Sequence, residues 1–457
     1  MCASQFIDSD EIRSRFSKAM SEMYRLEVPQ YSTLMELVAD INESTMADAG
    51  HGMQVSAPER NRLQVERHGA IRLGKASELA DIRRIFAVMG MLPVGYYDLS
   101  SAGVPVHSTA FRPVADESLL RNPFRVFTSL LRLELIEDEA LRERARTILA
   151  RREIFSARAL ELVRQFESNG GLTSEEADEF VGEVRETFRW HREATVDADT
   201  YREFHDAHRL IADVVCFKGP HINHLTPRTL DIDAAQVEMP RRGIGAKELI
   251  EGPPSRRHPI LLRQTSFKAL EEAILFPNGA GHEDGTHTAR FGEIEQRGMA
   301  LTREGRELYD TLLAQVNARS DERYEVRLTQ AFASFPDDLG ALREQGLAFF
   351  RYEVKDAARL KDMANAGAGF DLERLIESGI VVAQPVTYED FLPVSAAGIF
   401  QSNLGESGRT HGKGNSARYA FEASLGAPVL DEMELYERAS RESLEQVRSA
   451  LETKVAS

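Results

Sequence analysis

Three residues far apart in the chain can do metal chemistry together: His68, His224 and Glu293. An imidazole shielded by apolar neighbours stays neutral and offers a lone pair to a cation. Two imidazoles and one carboxylate on one face of a metal form the facial triad of non-haem Fe(II) oxygenases, which leaves positions open for a bidentate substrate and O2. His224 lies in the stretch His221-Ile222-Asn223-His224-Leu225-Thr226-Pro227-Arg228, after the apolar run Val214-Val215-Cys216-Phe217. That pattern reads as a strand ending near His224, followed by a helix capped by Asp231 or Asp233. Glu293 and Glu295 share one face of a strand, and spacing alone does not choose between them. Arg72 lies four residues beyond His68 on the same strand face, and its planar fork suits bidentate binding of a carboxylate. Each residue also has a plainer reading. A lone histidine is commonly a satisfied core or surface group, a strand carboxylate is commonly solvated, and an arginine commonly sits in an ion pair.

Other eye-catching residues have blander expectations. His221 precedes His224 by three, so on a strand it faces the opposite side and serves at most as a supporting partner. His282-Glu283-Asp284-Gly285-Thr286-His287 resembles a metal loop, but its glycine and threonine suggest a turn. His205 and His208 fall in a helical pattern, and Trp190-His191 reads as an anchoring aromatic beside a surface residue. The Gly-rich stretch 405–418 lacks P-loop spacing and reads as a flap or surface loop.

The elements that must position these groups follow an α/β pattern. Residues 10–44 are helical by period, 65–74 form a strand, 78–89 a helix, and 95–99 and 104–111 further strands. Residues 116–212 are rich in Glu, Arg, Ala and Leu and read as a helical insertion, with a capping box at Thr173-Ser174-Glu175-Glu176. Strand signals return over 214–228, 260–267 and 289–297, with helices over 234–241 and 302–316 between and after them. The α/β pattern thus occurs twice, at 1–115 and 213–320, and an internal repeat is suspected. The remainder, 321–457, mixes strands at 347–354 and 379–386 with a final amphipathic helix over 431–455.

The chain of 457 residues, 42% hydrophobic and 28% charged, is soluble and globular in composition. A net charge of −17 argues against nucleic-acid and anionic-membrane partners. No run of apolar residues reaches membrane-spanning length. The start of the chain lacks an export pattern, and the two cysteines, Cys2 and Cys216, form no disulfide framework, so a cytoplasmic location is expected.

Two stretches, His224-Leu225-Thr226-Pro227-Arg228-Thr229-Leu230-Asp231-Ile232 and Phe291-Gly292-Glu293-Ile294-Glu295-Gln296-Arg297, resemble ligand segments of 4-hydroxyphenylpyruvate dioxygenase, a vicinal oxygen chelate enzyme. In the second, the family's Phe-x-Glu-x-x-Gln-Arg form puts the metal-binding carboxylate at Glu293, and Glu295 falls where that enzyme is apolar. Over almost its full length the chain more closely resembles the bacterial 2-oxoadipate dioxygenase/decarboxylase family. The resemblance is carried by Glu66-Arg67-His68-Gly69-Ala70-Ile71-Arg72, the His224 and Glu293 stretches, and Phe391-Leu392-Pro393-Val394-Ser395. It implies a vicinal oxygen chelate-like core of two βαβββ-type halves with a helical insertion and C-terminal additions that complete the substrate site. It implies Fe(II) on His68, His224 and Glu293, substrate contacts from His68, Arg72, His224, Gln264, Val394 and Ser395, and a substrate carboxylate on Arg72, which counts as catalytic. The implied reaction converts 2-oxoadipate and O2 to 2-hydroxyglutarate and CO2 in lysine breakdown. The same scaffold also hosts metal-dependent isomerases and hydrolases, and an organic-acid sensor is a third reading.

Overall fold

A computed structural model describes residues 6–47, 56–267, 270–279, 281–288, 290–317, 322–365, 369–392 and 414–452. It is a mixed α/β protein whose chain forms two compact units. The first comprises Met1–Glu251, Gln264–Gln296 and Phe391–Leu430; the second comprises Gly252–Arg263, Arg297–Asp390 and Asp431–Ser457.

The first unit is built on strands β1 (Arg67–Leu73), β2 (Leu92–Asp98), β3 (Val106–Arg112), β4 (Arg125–Leu131) and β5 (Leu225–Pro227). They form one sheet in the order β2-β3-β4-β1-β5. β1 runs parallel to β4 and antiparallel to β5, with His68 opposite Arg125 on one side and Thr226 on the other. The sequence β1, helix Ala76–Val88, β2, β3, β4 is a βαβββ unit whose last strand lies beyond the expected boundary at 115.

The second half begins with β5 and the helix Ile232–Arg241, N-capped by Asp231, which accepts from the Ala234 amide at 2.9 Å. It continues with β6 (Leu262–Ser266), a hairpin of β7 (Glu271–Asn278) and β8 (Gly281–Thr288), and β9 (Glu293–Arg297). β6 pairs with β9, and a parallel bridge from Arg228 to Glu295 sets β9 beside the end of β5, as β4 lies beside β1. The hairpin makes this half longer than a plain copy of the first.

The N-terminal helical stretch is two helices, Ser9–Glu27 and Tyr31–Ala47. Pro29 and a left-handed Gln30 (φ 61) separate them. Their apolar faces, including Phe16, Met20, Tyr24, Leu34 and Leu37, join the core with Ile71, Phe86, Phe111 and Ile222.

Three expectations are corrected. Residues 116–212 are not wholly helical, because β4 lies within them. Its charged and hydroxyl residues disguised it: Arg125 is fully buried against Glu66 at 2.9 Å, and Ser129 pairs with Ser108 at 2.7 Å. The stretch 214–228 is strand only at Leu225–Pro227; its apolar start belongs to the helix Arg209–Val215. A short apolar run carries no period that separates strand from helix. The segment 282–287 is not a turn but most of β8. The expected capping box is present, with Thr173 and Glu176 satisfying each other's amides at the head of Ser174–Thr187.

In the second unit β10 (Phe350–Val354) pairs antiparallel with β11 (Val381–Pro385), and Leu360, Leu375, Ile380, Val447 and Leu451 form a small core with the helix Glu432–Glu452. Residues 405–413 lie outside the described residues, and a helix begins at Gly414. No described helix is long and apolar enough to cross a membrane.

Candidate metal centre

β1 is an interior strand between β4 and β5 and is buried along almost its whole length, so His68 is fully enclosed. His224 sits just before β5, in a segment held by its backbone. The Asn223 amide donates to the Ala70 carbonyl (3.0 Å), and the Phe291 amide donates to the Asn223 carbonyl (3.1 Å). The Tyr24 hydroxyl lies between the Asn223 and Phe291 carbonyls at 3.0 and 2.8 Å. Gly69 makes the approach possible, since a Cβ there would lie 2.8 Å from the His224 carbonyl oxygen and 2.4 Å from Ile222. Glu293 opens β9, whose approach is equally tight: a side chain at Gly292 would strike the Phe267 ring.

These three segments bring His68, His224 and Glu293 together. One ligand atom from each lies within 4.8 Å of the others, and all three residues are buried. His68 Nε2 is 3.0 Å and His224 Nδ1 3.3 Å from Glu293 Oε1. Thr226 and Gln264 each donate to the same oxygen at 2.9 Å. The two imidazoles meet edge to face, 5.1 Å between centroids.

The donors fit a cation. Among the described residues neither ring nitrogen of His224 has a hydrogen-bond partner, and burial depresses its pKa to about 4, with the nearby Glu293 charge only partly opposing that effect. A buried neutral imidazole with an unsatisfied lone pair is costly unless something accepts it. Burial also resists ionisation of Glu293, but the two imidazoles and the Thr226 hydroxyl outweigh it and hold the carboxyl below its ordinary range. The triad can therefore hold a metal ion, and it is the one group of this kind among the described residues.

The family model for 2-oxoadipate dioxygenase/decarboxylase matches residues 16–403. The chain belongs to this family. It is 60% identical over 440 residues to the 2-oxoadipate dioxygenase/decarboxylase of Escherichia coli (strain K12), covering 96% of this chain and 98% of that one. It is 38% identical to the Mycobacterium tuberculosis (strain H37Rv) protein of the same name, over 97% of this chain and 99% of the other. A crystal structure of the Pseudomonas putida hydroxyglutarate synthase in complex with 2-oxoadipate superposes with TM-score 0.89 at 55% identity, covering 98% of this chain and all of that one.

Around the triad of this family member, Glu295, weighed in the sequence only as a rival to Glu293, takes a place that sequence reasoning did not assign. It is fully buried and its Oε2 lies 2.9 Å from His68 Nδ1, without the alignment of a hydrogen bond. Burial disfavours charge on His68, but the charges of Glu295 and Glu293 prevail and raise its pKa. A carboxylate at one imidazole nitrogen fixes the ring with the other nitrogen aimed at a metal. The signal was present, since Glu293 and Glu295 share a strand face, but only packing gives each its own imidazole nitrogen. Phe391 stacks edge-on against His68 (4.9 Å), and Phe291 tilts over His224 (5.0 Å), so each imidazole has an aromatic ring against it.

Arg72 lies opposite Ser129, and Arg228 is bridged to Glu295. By that register Phe127 takes the place beside β1 that Glu293 takes beside the end of β5.

The other expected site residues divide. Gln264 is at the triad, on Glu293. Arg72 is directed to Asp213, with Nη1 donating to Oδ2 at 2.6 Å. Val394 and Ser395 lie outside the described residues. His221 and His287 both face Asp213 Oδ1, at 3.2 and 2.9 Å. His205 is exposed on its helix, and His208 caps the next helix by accepting from the Leu210 amide at 3.1 Å. Trp190 anchors as expected, edge-on to His221 and parallel to His287.

Proposed function

We propose that this protein converts 2-oxoadipate and O2 to 2-hydroxyglutarate and CO2, with Fe(II) held by His68, His224 and Glu293. The convergence of two buried imidazoles and one carboxylate carries the reading. Fe(II) there supplies a Lewis acid for the 2-oxo and carboxylate oxygens of the substrate and the reducing power for O2. Carbon and oxygen balance: six carbons and seven oxygens enter, five carbons leave in the hydroxy acid and one as CO2.

The chain's own residues supply placement. Glu295 keeps the His68 ring turned, Thr226 and Gln264 hold the Glu293 carboxylate, and Phe391 and Phe291 exclude water from the inner side. Arg72 offers a fixed positive fork to the distal carboxylate, which sets pose and chain length together. Val394 and Ser395 are assigned to the substrate site by family resemblance. The distal-carboxylate requirement makes a 2-oxo dicarboxylate the substrate class, and lysine breakdown is the proposed context. A reducing, cytoplasmic setting accords with Cys216, which is free and buried.

The deciding experiment is anaerobic reconstitution with Fe(II), then addition of 2-oxoadipate and O2, with O2 uptake, CO2 and 2-hydroxyglutarate measured together. Equal stoichiometry is expected. Product formation at an undiminished rate without O2 would refute the dioxygenase reading.

A further inference from the structure

Arg72 is held by a buried chain of groups that the metal centre does not use. Asp213, on the helix Arg209–Val215, has both oxygens engaged. Oδ2 accepts from Arg72 Nη1 at 2.6 Å, and Oδ1 accepts from His287 Nε2 at 2.9 Å, with His221 Nε2 3.2 Å away and not aligned for a hydrogen bond. His287 Nδ1 meets the Tyr201 hydroxyl at 2.8 Å. The Asp213 carboxylate can only accept, so His287 donates to it from Nε2, and in the neutral imidazole Nδ1 then accepts from the Tyr201 hydroxyl. In that tautomer Tyr201 donates to His287 and His287 to Asp213, and Arg72 donates to Asp213 from the other side. His221, His287 and the Asp213 side chain are no more than 6% exposed, whereas the Arg72 side chain is 19% exposed. The buried chain therefore ends in one partly open guanidinium. Among the described residues Asp213 is its one hydrogen-bond partner, which leaves the remaining N–H groups of the fork available.

We infer that Asp213 is a positioning residue for Arg72, and that the Tyr201–His287–Asp213 chain aims the free part of the guanidinium at the distal carboxylate of a substrate of one length. The inference rests on the proposed role of Arg72 as the carboxylate clamp. Stability alone needs only the ion pair. A relay through His287 and Tyr201 adds directional control, because each hydrogen bond fixes the rotation of the next group. His68 and Arg72 lie four residues apart on β1, about 13 Å along the strand, so the tilt of the guanidinium decides how long a substrate can span from metal to clamp.

The test uses the metal-loaded full chain under anaerobic conditions and calorimetric binding of three ligands. They are 2-oxoadipate, 2-oxoglutarate (one methylene shorter) and 2-oxohexanoate (no distal carboxylate). Asp213→Asn and His287→Gln are expected to weaken 2-oxoadipate binding about 10- to 100-fold, as a displaced binding group does. They should leave 2-oxohexanoate within about threefold and narrow the preference for 2-oxoadipate over 2-oxoglutarate, with bound metal unchanged. Tyr201→Phe removes one hydroxyl and should act in the same direction by about tenfold or less. If Asp213→Asn does not fold, the other two variants decide. Equal weakening of all three ligands, or no weakening, overturns the inference. Arg72→Ala separates the two levels. If it leaves discrimination between 2-oxoadipate and 2-oxohexanoate intact, the clamp reading has failed. If it abolishes discrimination while the Asp213 and His287 variants do not, only the positioning role has failed.

Discussion

Replacing Glu295 tests the metal centre without touching a ligand. Its Oε2 lies 2.9 Å from His68 Nδ1, and both side chains are fully buried. With the width of the imidazole and a metal–nitrogen bond of about 2.1 Å, the carboxylate charge would stand roughly 7 Å from a cation on Nε2. At an effective dielectric of about 20, one unit of charge at that distance is worth roughly 2.4 kcal/mol. Partial neutralisation by Glu293 leaves about one unit on a divalent cation, so Glu295→Gln should weaken metal binding by about 50-fold. That agrees with the roughly 10- to 100-fold typical of groups that orient a ligand from behind. Glu295→Leu also removes the polar group that faces His68 Nδ1 and should cost more. The assay is Fe(II) affinity by chelator competition, paired with the KM for 2-oxoadipate at saturating metal. Metal affinity should fall far more than substrate affinity. If both variants bind Fe(II) within about twofold of the parent, Glu295 does not support His68 and the argument from their proximity is wrong.

Further outcomes follow from other residues. Glu66 is fully buried and meets Arg62 (3.1 Å), Arg125 (2.9 Å) and Arg228 (3.1 Å); burial opposes its charge, but the three cations hold its carboxyl well below the ordinary range. Its charge therefore stabilises the fold above the unfolded carboxyl pKa of about 4.3, and this stabilisation is lost as pH falls through the lower folded value. Glu66→Gln should cost about 3–5 kcal/mol in urea unfolding at pH 7, and the gap should shrink in acid; a gap that does not change with pH would refute this. Gly69→Ala forces a Cβ to within 2.8 Å of the His224 carbonyl, so it should destabilise the fold by about 1–3 kcal/mol and weaken Fe(II) binding, read by Tm and chelator competition. Removing metal with a chelator should abolish turnover, and Fe(II) but not Zn(II) should restore it, because Zn(II) has no redox chemistry; restoration by Zn(II) would favour Lewis-acid chemistry instead.

The sequence by itself determined the α/β class, the first half as far as β3 and the residue types of the centre. Period, caps and glycines are local signals, and β1, the helix Ala76–Val88 and the Thr173 capping box carry them plainly. Family resemblance selected Glu293 over Glu295, which strand alternation could not do, because the two side chains share one face. Tertiary structure alone decided what each does. Glu293 meets His68 Nε2 and His224, while Glu295 meets His68 Nδ1 from behind. β4 escaped notice because Arg125 has its counter-charge on Glu66, 59 positions away, and a buried ion pair looks like surface polarity until its partner is known. His287 looked like part of a turn for the same reason, since Asp213 and Tyr201 lie 74 and 86 positions before it. Local propensity is written in neighbouring residues, whereas the protonation, burial and purpose of a polar side chain are set by whatever the fold brings against it.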